Sequence, residues 1–445
     1  MTRVVVIGGG AGGMLAAGRA AECGAKVILL ERNSILGKKL RITGKGRGNV
    51  TNIAELDDFV SAFGPNGKFL YGAFSRFSNH DLISLLERLG VPTKVERGGR
   101  VFPQSDRASD VADALERWLR ELRVDIRLGT RAHGLVVEKK DQGGGDNEET
   151  PNKKGRSYSP AFISSFISGV RVFSGVIPAD AVVLATGGIT YPRTGSTGDG
   201  YRIAAEVGHT IVPPKPSLAA LETAEPWVSQ LQGLSLRNVT ATLFSEKKKL
   251  ASEFGEMLFT HFGVSGPIIL TLSKVYAGLT HKSGVSISIN LKPALSREQL
   301  ESRLISDFSQ KKQFKNYLPD LLPRTLIPVF IHLSGIPAEL PVNRITKTQR
   351  KKIIDLLMDF RLQITGARPA EEAIVTSGGV SLKEIDPRTM GSLLVYGLHF
   401  AGEVIDIDAT TGGYNLQAAF TTGWIAGESA ANVLCATKRT QESNS

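Results

Sequence analysis

Apolar residues in this chain follow three rhythms, and each predicts a different kind of element. Short unbroken runs occur at Val4-Val5-Val6-Ile7, Val27-Ile28-Leu29-Leu30 and Ala181-Val182-Val183-Leu184. Such runs, rich in β-branched residues, predict strands buried on both faces of a parallel sheet. Val124-Asp125-Ile126-Arg127-Leu128 reads as a further strand of that sheet. Between these runs the spacing becomes helical. One helix is expected over 12–23, another over 81–90 and a third over 109–122, where Val111, Ala114, Leu115, Trp118, Leu119 and Leu122 line one face. Alternation is confined to the middle of the chain, as in Val239-Thr240-Ala241-Thr242-Leu243-Phe244 and Val285-Ser286-Ile287-Ser288-Ile289. It predicts half-buried strands.

The change of rhythm follows Pro213-Pro214-Lys215-Pro216, which marks a domain boundary. Residues 215–295 are expected to form a β-rich insertion. Residues 296–369 are expected to be helical, from the periodicity of Leu300, Leu304, Ile305 and Phe308 and later of Ile353, Ile354, Leu357 and Met358. The α/β texture then returns. Residues 398–406 read as a strand ending in an acid, and Gly412-Gly413 open a helix running to about 431. The fold class is therefore α/β, with a Rossmann-type domain split between 1–214 and 370–445. Residues 138–168, rich in Gly, Lys, Asn, Glu and Ser, predict a disordered loop.

Candidate chemistry begins in the first β-α-β stretch. Gly8, Gly10 and Gly13 match G-x-G-x-x-G between a strand and a helix. Gly8 makes the turn, Gly10 lets the backbone approach a pyrophosphate, and Gly13 lets the helix pack close to the strand. The helix aims its free N–H groups and positive dipole end at that phosphate. The second strand ends in Glu31, where a carboxylate can accept both hydroxyls of an adenosine ribose. A plain glycine turn would not require strand, loop, helix, strand and acid in this order, so a dinucleotide site is expected. Ala185-Thr186-Gly187-Gly188 ends another buried strand in small residues, which can lie flat against a second part of the same cofactor. The glycines and cations between Gly37 and Asn52 suit a phosphate-wrapping loop, with a flexible basic surface loop as the plainer alternative.

Composition narrows the function classes. Two cysteines, Cys23 and Cys435, stand at opposite ends of the chain and supply neither a disulfide framework nor a C-x-x-C redox pair. The seven histidines form no zinc-type cluster. Met1-Thr2-Arg3 leads straight into the first strand, so no signal peptide is expected, and no apolar run approaches a membrane span. A cytoplasmic protein without a membrane partner is the expectation. The net charge of +11 fits either a generic basic surface or a polyanionic partner such as RNA. Within 297–361 there are twelve Lys/Arg against seven Asp/Glu, so the helical insertion holds a large share of the excess.

Taken together, these stretches resemble the YhiN-like (aminoacetone-oxidase-like) family of FAD-dependent flavoproteins, a group of NAD(P)/FAD-dependent oxidoreductases, over nearly the whole chain. The resemblance rests on the glycine loop, Gly44-Lys45-Gly46-Arg47-Gly48-Asn49-Val50-Thr51-Asn52, Ala185-Thr186-Gly187-Gly188 and Thr197-Gly198-Asp199-Gly200-Tyr201. It rests equally on Phe259-Thr260-His261-Phe262-Gly263-Val264-Ser265-Gly266-Pro267, Thr376-Ser377-Gly378-Gly379-Val380, Ala401-Gly402-Glu403 and Thr411-Gly412-Gly413-Tyr414-Asn415-Leu416-Gln417. It implies non-covalent FAD, with Gly8, Gly10 and Gly13 on the pyrophosphate and Glu31 on the adenosine ribose. Asn49 and Thr51 would lie along the middle of the cofactor, and Gly402, Glu403, Asn415 and Gln417 along the ribityl chain and ring. Ala11, Arg32, Lys39 and Ala132, together with Gly413 and Leu416, complete the expected contacts. The resemblance also implies a β-barrel inserted beside a helical piece akin to a nucleic-acid-binding helix–two-turn–helix fold. One departure matters: the family usually has Cys between Arg and Asn, and this chain has Gly48.

Three activities go with the resembling family: oxidation of aminoacetone, reduction of a C=C bond in a dehydro-steroid, and reduction of uridine to dihydrouridine in ribosomal RNA. The last two share one chemistry, a hydride from reduced flavin and a proton from a general acid. No second strand–GxGxxG–helix exists for a nicotinamide, so NAD(P)H is expected to dock transiently. The basic insertion favours RNA uridine over a small-molecule substrate. An amine oxidase, a fumarate-reductase-like dehydrogenase using Arg193, and an FAD-containing RNA-binding protein without turnover remain alternatives. For the general acid the sequence offers His261 and Tyr191. The plainer readings are a histidine tying two loops together and a tyrosine packed beside Pro192.

Overall fold

The structure is a computed structural model that describes residues 1–139, 163–369 and 371–433. Its first unit comprises Met1–Pro216 and Val375–Ser445, and its second Ser217–Ile374.

In the first unit, strand β1 (Arg3–Ile7), helix α1 (Ala11–Glu22) and strand β2 (Lys26–Leu30) form one right after another. β1 is central. It pairs in parallel with β2, register Val4↔Val27, and with the strand Ala181–Leu184, register Val4↔Ala181. The sheet continues in parallel to Leu398–Phe400 on one side and to Asp125–Arg127 on the other. Two short antiparallel strands, Ile385–Asp386 and Gly391–Ser392, complete seven. Val4, Val5 and Val6 have no exposed surface, which is why the run could be unbroken. The C-terminal helix Tyr414–Ala431 returns across α1, and a Cβ on Gly423 would overlap the Gly12 carbonyl oxygen. Small residues therefore bring the two backbones together.

Several boundaries differ from the sequence expectations. The expected strand 398–406 ends at Phe400, and Gly402–Val404 turns as a 3₁₀ helix, so Glu403 sits in a turn. The basic glycine loop contains a kinked 3₁₀ stretch, Leu40–Gly46, interrupted at Thr43, Gly44 and Lys45. Of the expected disordered loop 138–168, residues 140–162 lie outside the described residues. Its two flanks are strand, in Ala132–Lys139 and Ser165–Val172, which pair antiparallel. These strands carry the buried apolar residues Leu135, Ile167, Val170 and Val172, so they extend into both ends of the expected loop.

The second unit is a closed six-stranded barrel with helices threaded through it. Its strands are Leu221–Thr223, Ser235–Ser245, Lys248–Phe259, Gly263–Ser265, Val285–Asn290 and Phe360–Ala367. The last of these falls within the stretch expected to be helical, and the helix Pro267–Ala277 falls within the stretch expected to be β-rich. The helices Arg297–Asp307, Ile327–Ser334 and Lys347–Met358 lie in sequence between two neighbouring barrel strands. One apolar cluster runs through both parts, including Ile287, Ile289, Leu300, Leu304, Ile353, Leu357 and Phe360. Barrel and helices thus share a core instead of forming two domains. Among the described residues no helix is long and apolar enough to cross a membrane.

Candidate cofactor site

The turn after β1 is held by its own backbone. Gly8 has φ +105° and its N–H donates to the Leu30 carbonyl at 2.8 Å. A Cβ on Gly13 would overlap the Gly8 carbonyl oxygen, whereas a Cβ on Gly10 would meet nothing within 4 Å. The third glycine is therefore required by packing, while the space beside the second is open. Gly10 is the N-cap of α1, and no side chain caps that terminus, so its first N–H groups face open space beside Ala11. That is the cradle a pyrophosphate fills.

Glu31 is buried, and its carboxylate is already organised. Oε2 accepts the Gly9 N–H at 2.8 Å, and Oε1 accepts the N–H and side-chain amide of Asn33, both at 2.7 Å. Oε1 is fully used by these two bonds, whereas Oε2 keeps a lone pair for a ribose hydroxyl. The Thr130 N–H donates to the Glu31 carbonyl at 2.9 Å, which brings the buried Ala132, at the start of its strand, to this end of the loop. Arg32 turns the other way. Its guanidinium donates to Thr197 Oγ1 at 2.6 Å and to Asp199 at 3.2 Å, and Arg131 reaches the same carboxylate at 2.6 Å. Hydrogen bonds from Arg131 hold Asp199 below the usual carboxylate range. Arg32 thus fastens the helix Asp199–Glu206 to the loop.

Further along, Ala185, Thr186 and Gly187 follow the strand end, with the Ala185 N–H on the Ile7 carbonyl at 2.9 Å. The Thr186 hydroxyl oxygen is buried without a hydrogen-bond partner, and so is Gln417 Oε1. Orphaned acceptors are costly in a finished interior and suit a site completed by a bound polar group. Asn49 bridges two segments: its amide oxygen accepts the Gly413 N–H and its nitrogen donates to the Thr51 carbonyl, both at 3.1 Å. Leu416 is half-buried in the first turn of the helix that Gly413 caps.

Some residues expected at the cofactor also hold the protein together. The Asn415 amide accepts the Ala409 N–H at 2.8 Å and donates to the Ala409 and Thr410 carbonyls, so it folds the preceding loop back. Glu403 Oε1 accepts the Thr376 N–H at 2.6 Å and the Thr190 hydroxyl at 3.1 Å, while Oε2 meets Lys39 Nζ at 2.7 Å. Lys39 also donates to Thr190 at 2.9 Å. Gly402, at φ +71°, donates its N–H to Thr422 at 2.8 Å. Thr190, Thr376 and Asn33 were absent from the sequence-derived site. Thr376 lay inside a quoted motif, and the other two carried no sequence signal.

The two proton-donor candidates lie in different units. Tyr191 belongs to the first, at φ +53°, a left-handed conformation uncommon for a bulky residue, with the Lys39 ammonium 6.0 Å from its ring. His261 belongs to the second, exposed in the turn between Lys248–Phe259 and Gly263–Ser265, edge-on to Phe262 at 4.9 Å. The open cradle at Gly10, the free lone pair on Glu31 Oε2 and the orphaned oxygens of Thr186 and Gln417 fit FAD. Gly48 has φ +79°, and a Cβ there would lie 2.9 Å from Ala108 Cα. No side chain fits at that position.

Comparison with known proteins gives the same outline. The HI0933-like protein Rossmann domain matches residues 2–154, and the HI0933-like protein barrel and H2TH domain matches 215–375. The chain is 31% identical over 436 residues to 3-dehydro-bile acid delta(4,6)-reductase of Clostridium scindens, covering 97% of this chain and 99% of that protein. It is 30% identical over 423 residues to ribosomal RNA dihydrouridine synthase of Escherichia coli, covering 94% and 96%. In fold it is similar to 3-ketosteroid delta1-dehydrogenase from Sterolibacterium denitrificans, at 12% identity and a TM-score of 0.52 over 97% of this chain and 100% of that one. A flavocytochrome c3 fumarate reductase aligns at 18% identity and a TM-score of 0.51 over 97% and 78%.

Proposed function

The chain belongs to the HI0933-like family of FAD-dependent oxidoreductases, and from that premise we propose that it is a reductase that takes a hydride from NAD(P)H and delivers it to a C=C bond, with uridine in ribosomal RNA the favoured substrate. The carrying observation is that two relatives matched from end to end, named for a bile acid reductase and a dihydrouridine synthase, act on different molecules by one kind of reduction. Bound FAD supplies the relay of the hydride between donor and substrate. The excess of cations in 297–361 supports the RNA substrate.

The protein's part is to bind, orient and protonate. Gly8, Gly10 and Gly13 with the start of α1 hold the pyrophosphate, and Glu31 the adenosine ribose. Thr186, Asn49 and Gln417 offer polar atoms further along. A side chain, His261 or Tyr191, gives its proton to the carbon that does not take the hydride, and regains it from water. A dehydro-steroid is the second reading, favoured by the bile acid reductase relative.

Anaerobic stopped-flow mixing of the yellow protein with NADPH, then NADH, tests the donor. Loss of flavin absorbance on mixing is the expected result. The reduced protein is then offered uridine-containing ribosomal RNA and a steroid enone in turn, and whichever reoxidises it identifies the substrate. If neither nucleotide bleaches the flavin, the reductase reading is wrong, and an oxidase that takes electrons from its substrate or a protein that only carries FAD takes its place.

A further inference from the structure

The ion pairs of the helical part sort its twelve cations into two groups. Arg297, Arg303, Lys312, Lys315, Arg350 and Arg361 each meet a carboxylate of the same unit. Lys311, Arg324, Arg344, Lys347, Lys351 and Lys352 are exposed and have no acidic partner among the described residues. Four of these six fall within nine residues, around the start of the helix Lys347–Met358.

Lys352 has an intramolecular explanation. Its ammonium lies against Gly335, the residue that ends the helix Ile327–Ser334, where unpaired carbonyls attract a cation. Arg344, Lys347 and Lys351 have none. Lys347 is the first residue of its helix, the first turn holds no acid, and Lys351 follows at i+4 on the same face. Cations at a helix N-terminus oppose the macrodipole, and like charges at i,i+4 repel. The nearest acid on that helix, Asp355, is taken by Arg297. The fold otherwise begins this helix well, with Thr346 and Gln349 in a reciprocal capping box. The charge placement alone works against it.

Resting on the RNA reading above, we propose that Arg344, Lys347 and Lys351 form a docking surface for the phosphate backbone of the RNA substrate. Three exposed cations without an acidic partner among the described residues can bind phosphates by releasing condensed counterions, independently of base sequence. The surface holds the RNA, and the flavin unit performs the chemistry.

The test compares the FAD-loaded full chain with its Lys347→Glu/Lys351→Glu variant. Binding of a fluorescent uridine-containing ribosomal RNA fragment is followed by anisotropy between about 50 and 200 mM salt. The variant is expected to bind about tenfold more weakly at low salt, with its log–log salt slope reduced by about 1.5 to 2. Flavin absorbance should be unchanged, and the melting temperature unchanged or higher because the charges no longer oppose the dipole. Lys347→Gln/Lys351→Gln gives a second variant if charge reversal prevents folding. Equal binding and equal slope in the variants overturn the proposal while leaving the RNA reading intact. A wild type that binds no RNA at any salt overturns both. A variant that keeps RNA binding but loses binding to anionic vesicles overturns the proposal in favour of a membrane surface.

Discussion

Lys39 and Glu403, 364 positions apart in sequence, meet at 2.7 Å and share Thr190 between them. Their side chains are 24% and 19% exposed, so neither charge is fully solvated without the other. Glu403 also accepts the Thr376 N–H, so the pair ties together the basic glycine loop, the turn after Ala401 and the strand Val375–Val380. Lys39→Met removes the one charged donor. A hydrogen bond to a charged group is worth about 2 kcal/mol, which corresponds to roughly thirtyfold in affinity. FAD titration of the apoprotein, read by quenching of flavin fluorescence, should show that weakening. An unchanged affinity would separate this pair from cofactor binding.

Gly10 and Gly13 should respond differently to the same methyl group. Gly10→Ala meets no protein atom within 4 Å, so the apoprotein should lose less than about 1 kcal/mol while FAD binding collapses. Gly13→Ala strikes the Gly8 carbonyl and should destabilise the apoprotein itself. Denaturant midpoints of the two apo variants, set beside their flavin content, distinguish these outcomes.

Gly48→Cys supplies the residue usual in the resembling family, yet the local backbone excludes it. The left-handed φ costs a non-glycine residue about 1–2 kcal/mol, and Ala108 Cα lies 2.9 Å from the new Cβ. The variant is expected to unfold at lower denaturant than wild type. A variant as stable as wild type, with a thiol that reacts rapidly with a disulfide reagent, would refute this.

Two buried histidines should make stability fall in acid. Burial pushes His399 down to about 4, and burial lowers His209 despite Glu384 beside it. His209 Nδ1 lies 3.1 Å from Glu384 and Nε2 2.8 Å from Ser392 Oγ, whose lone pairs already accept the Leu394 and Val395 N–H groups. The Ser392 proton must therefore point at Nε2, which fixes a neutral ring. Both histidines take up protons near pH 6.5 when unfolded but resist when folded. Their contribution is complete above pH 6.5 and is lost as the pH falls from there toward 4. For His399 the shift corresponds to about 3 kcal/mol. Denaturation of the FAD-loaded protein from pH 8 to 4.5 should show the slope, and His399→Leu should flatten it.

His261→Ala should leave the protein yellow, because the side chain is exposed in a turn, edge-on to Phe262. If His261 is the proton donor, kcat falls by about a hundredfold or more. Tyr191→Phe is the companion variant. Loss of FAD on His261→Ala would assign it a structural role instead.

The sequence by itself determined whatever depends on neighbours along the chain. The run Val4-Val5-Val6-Ile7, the glycines that follow and Glu31 at the end of β2 specify one local unit, because β1 and β2 pair with each other and the turn and helix between them are built from the same thirty residues. Tertiary structure decided what depends on residues far apart. Phe360, Leu362 and Ile364 alternate with polar residues and so mark a strand, but only the fold shows that it pairs with Val285–Asn290 and closes the barrel. Asn415 and Glu403 stand out in their motifs, but that they also tie segments of the chain together through Ala409, Lys39 and Thr376 is visible only in the fold. The cations of the helical part were countable in the sequence. Which of them had an acid within reach was settled only by the fold, since an ion pair is a matter of distance in space.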